Sequence, residues 1–176
     1  VELNKWKYLE SLKNVKSKGL VSNIGISLYK INEVSKILKF WRPDVIQLPY
    51  NIFDREIESK KFLPLLKRRK IKVQIRSVFL QGLLTRNKRP KKFLKWKKIF
   101  DKWFKWCQKN NLEPKIAALL FVKNNKILDK IIIGFESSEQ LKDLLKIKKI
   151  KKKYTFPKIK CNDRKLLDPS NWSKLF

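Results

Sequence analysis

The sequence predicts an α/β fold of parallel strands, with half the strand count of an eight-fold strand–helix barrel. Three observations carry this expectation. Short apolar strands alternate with amphipathic helices through most of the 176 residues, and such alternation implies parallel strands joined by right-handed crossovers. Four strand–helix units can be counted, whereas a full barrel needs about 250 residues. Each strand closes on a polar or glycine residue, and ligands bind at the C-terminal ends of barrel strands.

The elements follow in order. Trp6, Leu9, Leu12 and Val15 recur at spacings of three, which predicts an amphipathic helix over 3–18 with Gly19 as its stop. Residues 22–27 (SNIGIS) form a short strand. A helix over 31–41 places Ile31, Val34, Ile37, Leu38 and Trp41 on one side, and Pro43 ends it. The second strand, 44–48, is apolar after Asp44 except for Gln47. A helix over 58–69 ends in Lys67-Arg68-Arg69-Lys70, where positive charge suits the helix C-terminus. Residues 71–76 are the third strand and 77–90 a loop. A helix over 92–109 carries Trp96, Phe100, Trp103, Phe104 and Cys107 at core spacing. Pro114 opens a helix over 115–124, residues 130–134 form a fourth strand, and Ser137 begins the cap of a helix over 138–146. The domain expectation is a half barrel over 1–146 followed by a Lys-rich, irregular extension over 147–176.

Composition bounds the function. The net charge is +30, but Arg occurs only eight times among 45 basic residues, and the excess of Lys, Ile and Asn is what AT-rich codons produce. The basic residues fall on nearly every predicted helix, so most read as solvated faces with snorkelling stems rather than a nucleic-acid patch. No apolar run is long enough to span a membrane, and the charged N-terminal helix is not a signal peptide. Cys107 and Cys161 lie far apart, which suits a reducing compartment and a cytoplasmic location. The chain starts at Val and contains no Met, so a fragment or processed product is expected.

The absences also matter. There is no His in the chain, hence no imidazole base and no His-based metal site. The cysteines lack CxxC spacing, and no GxGxxG or P-loop is present. No metal is expected. What remains is a rim: Ser27, Gln47, Arg76-Ser77 and Gly134 with Glu136 and Ser137 close four successive strands. A lone polar strand end merely caps its strand, but four in succession favour a ligand site. Free backbone N–H groups around Ser137 to Gln140 would attract phosphate at a helix N-terminus.

Four segments carry a family resemblance. IGIS (24–27), PDVIQLPYNIFDR (43–55), VQIRSVFLQGLL (73–84) and IIIGFESSEQL (131–141) together resemble the C-terminal half of an aldo-keto reductase, over about residues 3–145. The resemblance implies a (β/α)8 barrel of the TIM type, here a partial barrel, that reduces carbonyls with NADPH or NADH. It implies that Ser27 and Gln47 hold the nicotinamide carboxamide and that Ser77, Phe79, Gln81 and Gly82 run beside the pyrophosphate. Gly134, Glu136, Ser137, Ser138 and Gln140 would meet the adenosine phosphate, with Asp143 near the adenine.

Three departures stand out. Leu28 replaces the usual Asn. Arg76 replaces an aromatic that commonly stacks on the nicotinamide, and its planar guanidinium could stack there too. Gln140 stands where NADP-preferring members often carry Arg, and Glu136 favours NAD, so NADP or NAD stays open. The family's catalytic Asp, Tyr, Lys and His belong to the N-terminal half, so no residue here is expected to be catalytic. The expected partners are the dinucleotide, a small carbonyl substrate and the missing half of the barrel, without membrane or nucleic acid. Two rival readings remain: a basic nucleic-acid-binding module, resting on the charge and the aromatic helix, and a non-catalytic interaction protein on a degenerate barrel.

Overall fold

The computed structural model describes residues 4–59 and 62–175. Helix α1 (Asn4–Ser17) is followed by β1 (Gly25–Ser27), α2 (Ile31–Ile37), β2 (Val45–Pro49), α3 (Phe62–Arg68) and β3 (Lys72–Arg76). Next come α4 (Lys97–Lys109), α5 (Pro114–Lys123), β4 (Lys130–Ile131), α6 (Ser138–Leu145) and α7 (Arg164–Leu167). The strands form one four-stranded sheet in chain order, β1-β2-β3-β4, and every pairing is parallel. This is the expected half of an eight-fold barrel wall.

The two faces of the sheet differ because side chains alternate along a strand. Ile46, Leu48, Val73 and Ile75 point one way and are buried in the core with Val34, Leu66, Leu120 and Val122. The opposite face is only partly covered. Register aligns Ser27, Gln47, Gln74 and Lys130 in one row across it, and Ser27, Lys72 and Lys130 are exposed. The lumen of a closed barrel is ordinarily filled by branched apolar side chains; here that face is polar. The accessible surface is 12102 Å², against about 9,000 Å² for a compact monomer of this mass.

Local chemistry fixes the geometry. Gly19 adopts φ +72° and the N–H groups of Gly19 and Leu20 close on Lys16 and Val15 carbonyls, stopping α1 as expected. Gly25 is required by space: a Cβ there would lie 2.5 Å from the Val45 carbonyl oxygen. Asp44 accepts from Lys16 Nζ at 2.6 Å and from the Ile24 N–H at 2.9 Å, tying α1 to the start of β2.

Several sequence expectations need correction. Within the α1 stripe Leu9 is buried but Leu12 is exposed; the side chain of Trp6 lies outside those described. The predicted helix over 92–109 is two pieces, because Phe93 leaves helical geometry (φ −101°, ψ 28°) and a 3-10 turn over Lys91–Trp96 precedes α4. The fourth strand spans two residues rather than five. The C-terminal segment is irregular only as far as Asp163, whose carboxylate caps α7. That segment packs on the domain: Phe156 lies against Trp106 and Phe121, and Ile159, Leu166 and Leu167 join the core.

Candidate dinucleotide site

The β1–β3 side of the rim is knit by hydrogen bonds. Ser27 Oγ donates to Gln47 Oε1 at 3.2 Å and accepts from Arg76 Nε at 3.2 Å. Gln47 Nε2 points to Gln74 Oε1 at 3.5 Å. Arg76 also donates to Ser77 Oγ at 3.0 Å and approaches the Leu28 carbonyl at 3.4 Å. Its guanidinium lies 4.3 Å from the centre of the Tyr29 ring, a cation–π stack. Ser27, Gln47, Arg76 and Ser77 thus converge.

Behind them sits a residue pair that sequence reading missed. Asn51 and Asp54 are the two buried polar residues among those described. Asn51 Oδ1 accepts the N–H groups of Phe53 and Asp54, both at 3.0 Å, and its amide donates to the Ser77 carbonyl at 3.0 Å. It therefore locks the end of β2 to the loop after β3. The signal was present as an Asn directly after the strand in a Pro-Tyr-Asn turn, where the side chain substitutes for backbone. Burial pushes the Asp54 carboxyl up to about 6, opposed by the Arg164 guanidinium.

The loop after β3 is wound. Ser77, Leu80 and Gln81 take positive φ (57°, 46° and 49°), as does Gly82. Phe79 is half-buried against the core, whereas Gln81 is exposed. The loop runs beside the same rim.

The β4–α6 side is built differently. Gly134, Glu136, Ser138 and Gln140 are exposed, and nothing lies within 4 Å of a Cβ placed at Gly134. Ser137 is the N-cap of α6: its Oγ accepts the Gln140 N–H at 3.2 Å, while Gln140 Oε1 accepts the Glu136 N–H at 3.0 Å. This reciprocal pair satisfies the Gln140 N–H, one of the donors that were expected to face a phosphate, together with the N–H of Glu136 just before them. The Ser138 hydroxyl and the helix N-terminus hold the Glu139 carboxyl below its usual range. Asp143 bridges Lys115 and Lys146, each at 2.6 Å, and these lysines hold its carboxyl down at about 2.

Other candidates recede. Tyr50 is buried and donates to Glu58 at 2.6 Å; burial and that carboxylate push its hydroxyl above the ordinary range. Burial pushes the Cys107 thiol up to about 12. The aromatic face of α4 is core, with Phe100 and Trp103 fully buried, so these rings offer no stacking platform to a nucleobase. Among the described residues, no group of three His, Cys, Asp or Glu could hold a metal ion, and no helix is long and apolar enough to cross a membrane.

A parallel strand–helix sheet with a polar rim at its C-terminal ends is the architecture of the (β/α)8 enzymes. Residues 3–159 match the model of the Aldo/keto reductase family, and the chain belongs to that family. It is 27% identical over 148 residues to the NADH-specific methylglyoxal reductase of Escherichia coli (strain K12), a match covering 75% of this chain and 45% of the relative. The apo form of aldo-keto reductase AKR11C1 from Bacillus halodurans superposes with a TM-score of 0.64 at 23% identity, covering 78% of this chain and 49% of that one. Its holo form gives a TM-score of 0.64 at 22% identity, covering 80% and 47%. The chain therefore shares the fold of these structures and spans about half the length of the relatives it matches.

Proposed function

We propose that this chain is the dinucleotide-holding half of an NAD(P)H-dependent carbonyl reductase. The observation that carries the reading is the hydrogen-bonded cluster of Ser27, Gln47 and Arg76 on the open rim. The Gln47 amide has two N–H donors, and one is directed at Gln74, which leaves a donor for the oxygen of a ligand carboxamide. Ser27 supplies a rotatable hydroxyl beside it, and the Arg76 guanidinium lies over the Tyr29 ring. These groups fit the amide and ring of a nicotinamide, which when bound supplies the hydride. Holding that ring in one orientation is a large catalytic term.

Glu136 and Glu139 flank the N-terminus of α6, and their charge disfavours an additional phosphate, so the preferred cofactor is NADH. The NADH-specific E. coli relative agrees with this choice. A complementary half barrel brings the Asp, Tyr, Lys and His that perform proton transfer, and closes the strand edges at β1 and β4. Nicotinamide emission during NADH titration tests the reading. Gln47→Ala is expected to weaken binding about tenfold, the loss of one or two hydrogen bonds; unchanged affinity overturns the assignment. Reduction of methylglyoxal, the substrate named for the relative, is expected only with the complementary half present. Turnover by the 176-residue chain alone would refute that division of labour.

A further inference from the structure

Resting on the dinucleotide reading, the geometry points to Arg164 as a positioning residue. We propose that it straps the C-terminal segment to the rim and holds the Tyr29–Arg76 stack that presents Ser27. Arg164 opens α7, more than 80 residues beyond the last residue of β3. Its guanidinium reaches three groups on two segments. One nitrogen lies 3.4 Å from Asp54 Oδ2 and 3.4 Å from the Tyr29 carbonyl oxygen, and the other pairs closely with Glu56.

Each partner gives the contact a consequence. Asp54 is 2% exposed, and a buried carboxylate needs a cation; Arg164 is the cation in contact with it, while Arg76 acts on it from further away. Glu56 adds a like charge beside Asp54, which a bridging guanidinium offsets. Tyr29 lends its carbonyl to Arg164 and its ring to Arg76, so the strap and the rim meet at one residue. From Arg76 the path continues to Ser27 Oγ and Gln47. The planar fork of Arg suits this bridging, whereas the ammonium of Lys holds one partner well.

Neighbouring contacts make the segment a strap rather than a loose tail. Cys161 N–H donates to the Phe53 carbonyl at 3.0 Å, and Asn171 donates to the Arg164 carbonyl at 3.3 Å. The Asp163 carboxylate receives Trp96 Nε1 at 3.2 Å and Lys95 Nζ at 2.9 Å.

Hydrogen exchange of the Cys161 and Leu166 amides in the full chain tests the strap, and NADH titration tests the positioning. Arg164→Ala is expected to speed exchange at both amides about tenfold or more, as loss of a charge-assisted bond implies, and to weaken NADH binding several-fold. Arg164→Lys is expected to restore part of both. Should Arg164→Ala fail to fold, Glu56→Gln removes the more exposed partner and is expected to move both readouts in the same direction by less. Unchanged exchange in the folded variants overturns the strap. Faster exchange with unchanged NADH affinity overturns the positioning role. A wild-type chain that binds no NADH overturns the dinucleotide reading and the positioning role together, while exchange still decides the strap.

Discussion

The two sides of the rim reach order by opposite routes. On the β1–β3 side, residues far apart in sequence hold one another: Asn51 bonds Ser77, Arg76 bonds Ser27, and Arg164 reaches Asp54. On the β4–α6 side, Ser137 and Gln140 satisfy neighbours within four residues. The first side is set by the tertiary fold and should fail with it. The second is set at its helix start by a local cap, with one longer tie from Asp143 to Lys115 on α5, and that cap should survive change elsewhere. A ligand spanning both would therefore meet one rigid wall and one wall that adjusts locally.

The comparison can be broken at several points. Asn51→Ala should have the largest effect, about 3 kcal/mol of lost stability, because it orphans the buried Phe53 and Asp54 N–H groups and cuts the tie to the Ser77 carbonyl. Urea denaturation measures this, and a loss below 1 kcal/mol would mean that the lock is replaceable. Gly25→Ala comes next, at about 2 kcal/mol, since a Cβ set against the Val45 carbonyl forces β1 away from β2. The readout is the melting midpoint, along with chemical-shift changes spreading into β2. Ser137→Ala should cost about 1 kcal/mol through the lost cap, with shift changes confined to α6; changes reaching Ser27 would contradict the local character of that side.

A pH series sharpens the same contrast. Asp54 has a folded-state pKa of about 6, raised above its ordinary 3.8. The folded protein then binds the proton more tightly than the unfolded chain, so this group's contribution to stability falls as pH rises from about 4 to 6. Asp54→Asn should remove that slope. Asp143 behaves in the opposite sense: its pKa is held at about 2, so its contribution is present above 3.8 and is lost as pH falls toward 2. Carboxyl NMR titrations of the two residues should show these opposite displacements.

How much of this was legible in the sequence follows the same division. The parallel α/β order was readable from periodicity, because side-chain alternation and helical spacing are local. Ser27 and Arg76 were readable as strand ends and Ser137 as a cap, whereas Gln47, read as the close of its strand, stands in the middle of β2, which runs on to Pro49. Asn51 was passed over because an Asn in a turn has many ordinary uses, and its role depends on a carbonyl 26 positions away. Arg164 could not be separated from the surrounding basic residues, since its partners lie 108 and 110 positions earlier. The break at Phe93 was hidden by a run of good helix spacing, and the aromatic face of α4 had two uses until burial chose one. The tail appeared irregular because its order comes from Trp106, Phe121 and Trp96 rather than from its own periodicity.

The sheet's spatial order is its chain order, and this bears on how the molecule is made. A strand emerging during synthesis finds the edge of its predecessor already exposed, so the sheet grows from β1 to β4 without waiting for a distant partner. Domains that fold as they are synthesised gain from such vectorial growth. The growing end is always a bare parallel edge, which is a template for the next strand and, when no strand arrives, a template for another chain. Chaperone demand for this protein should therefore track the time that the β4 edge stays uncovered.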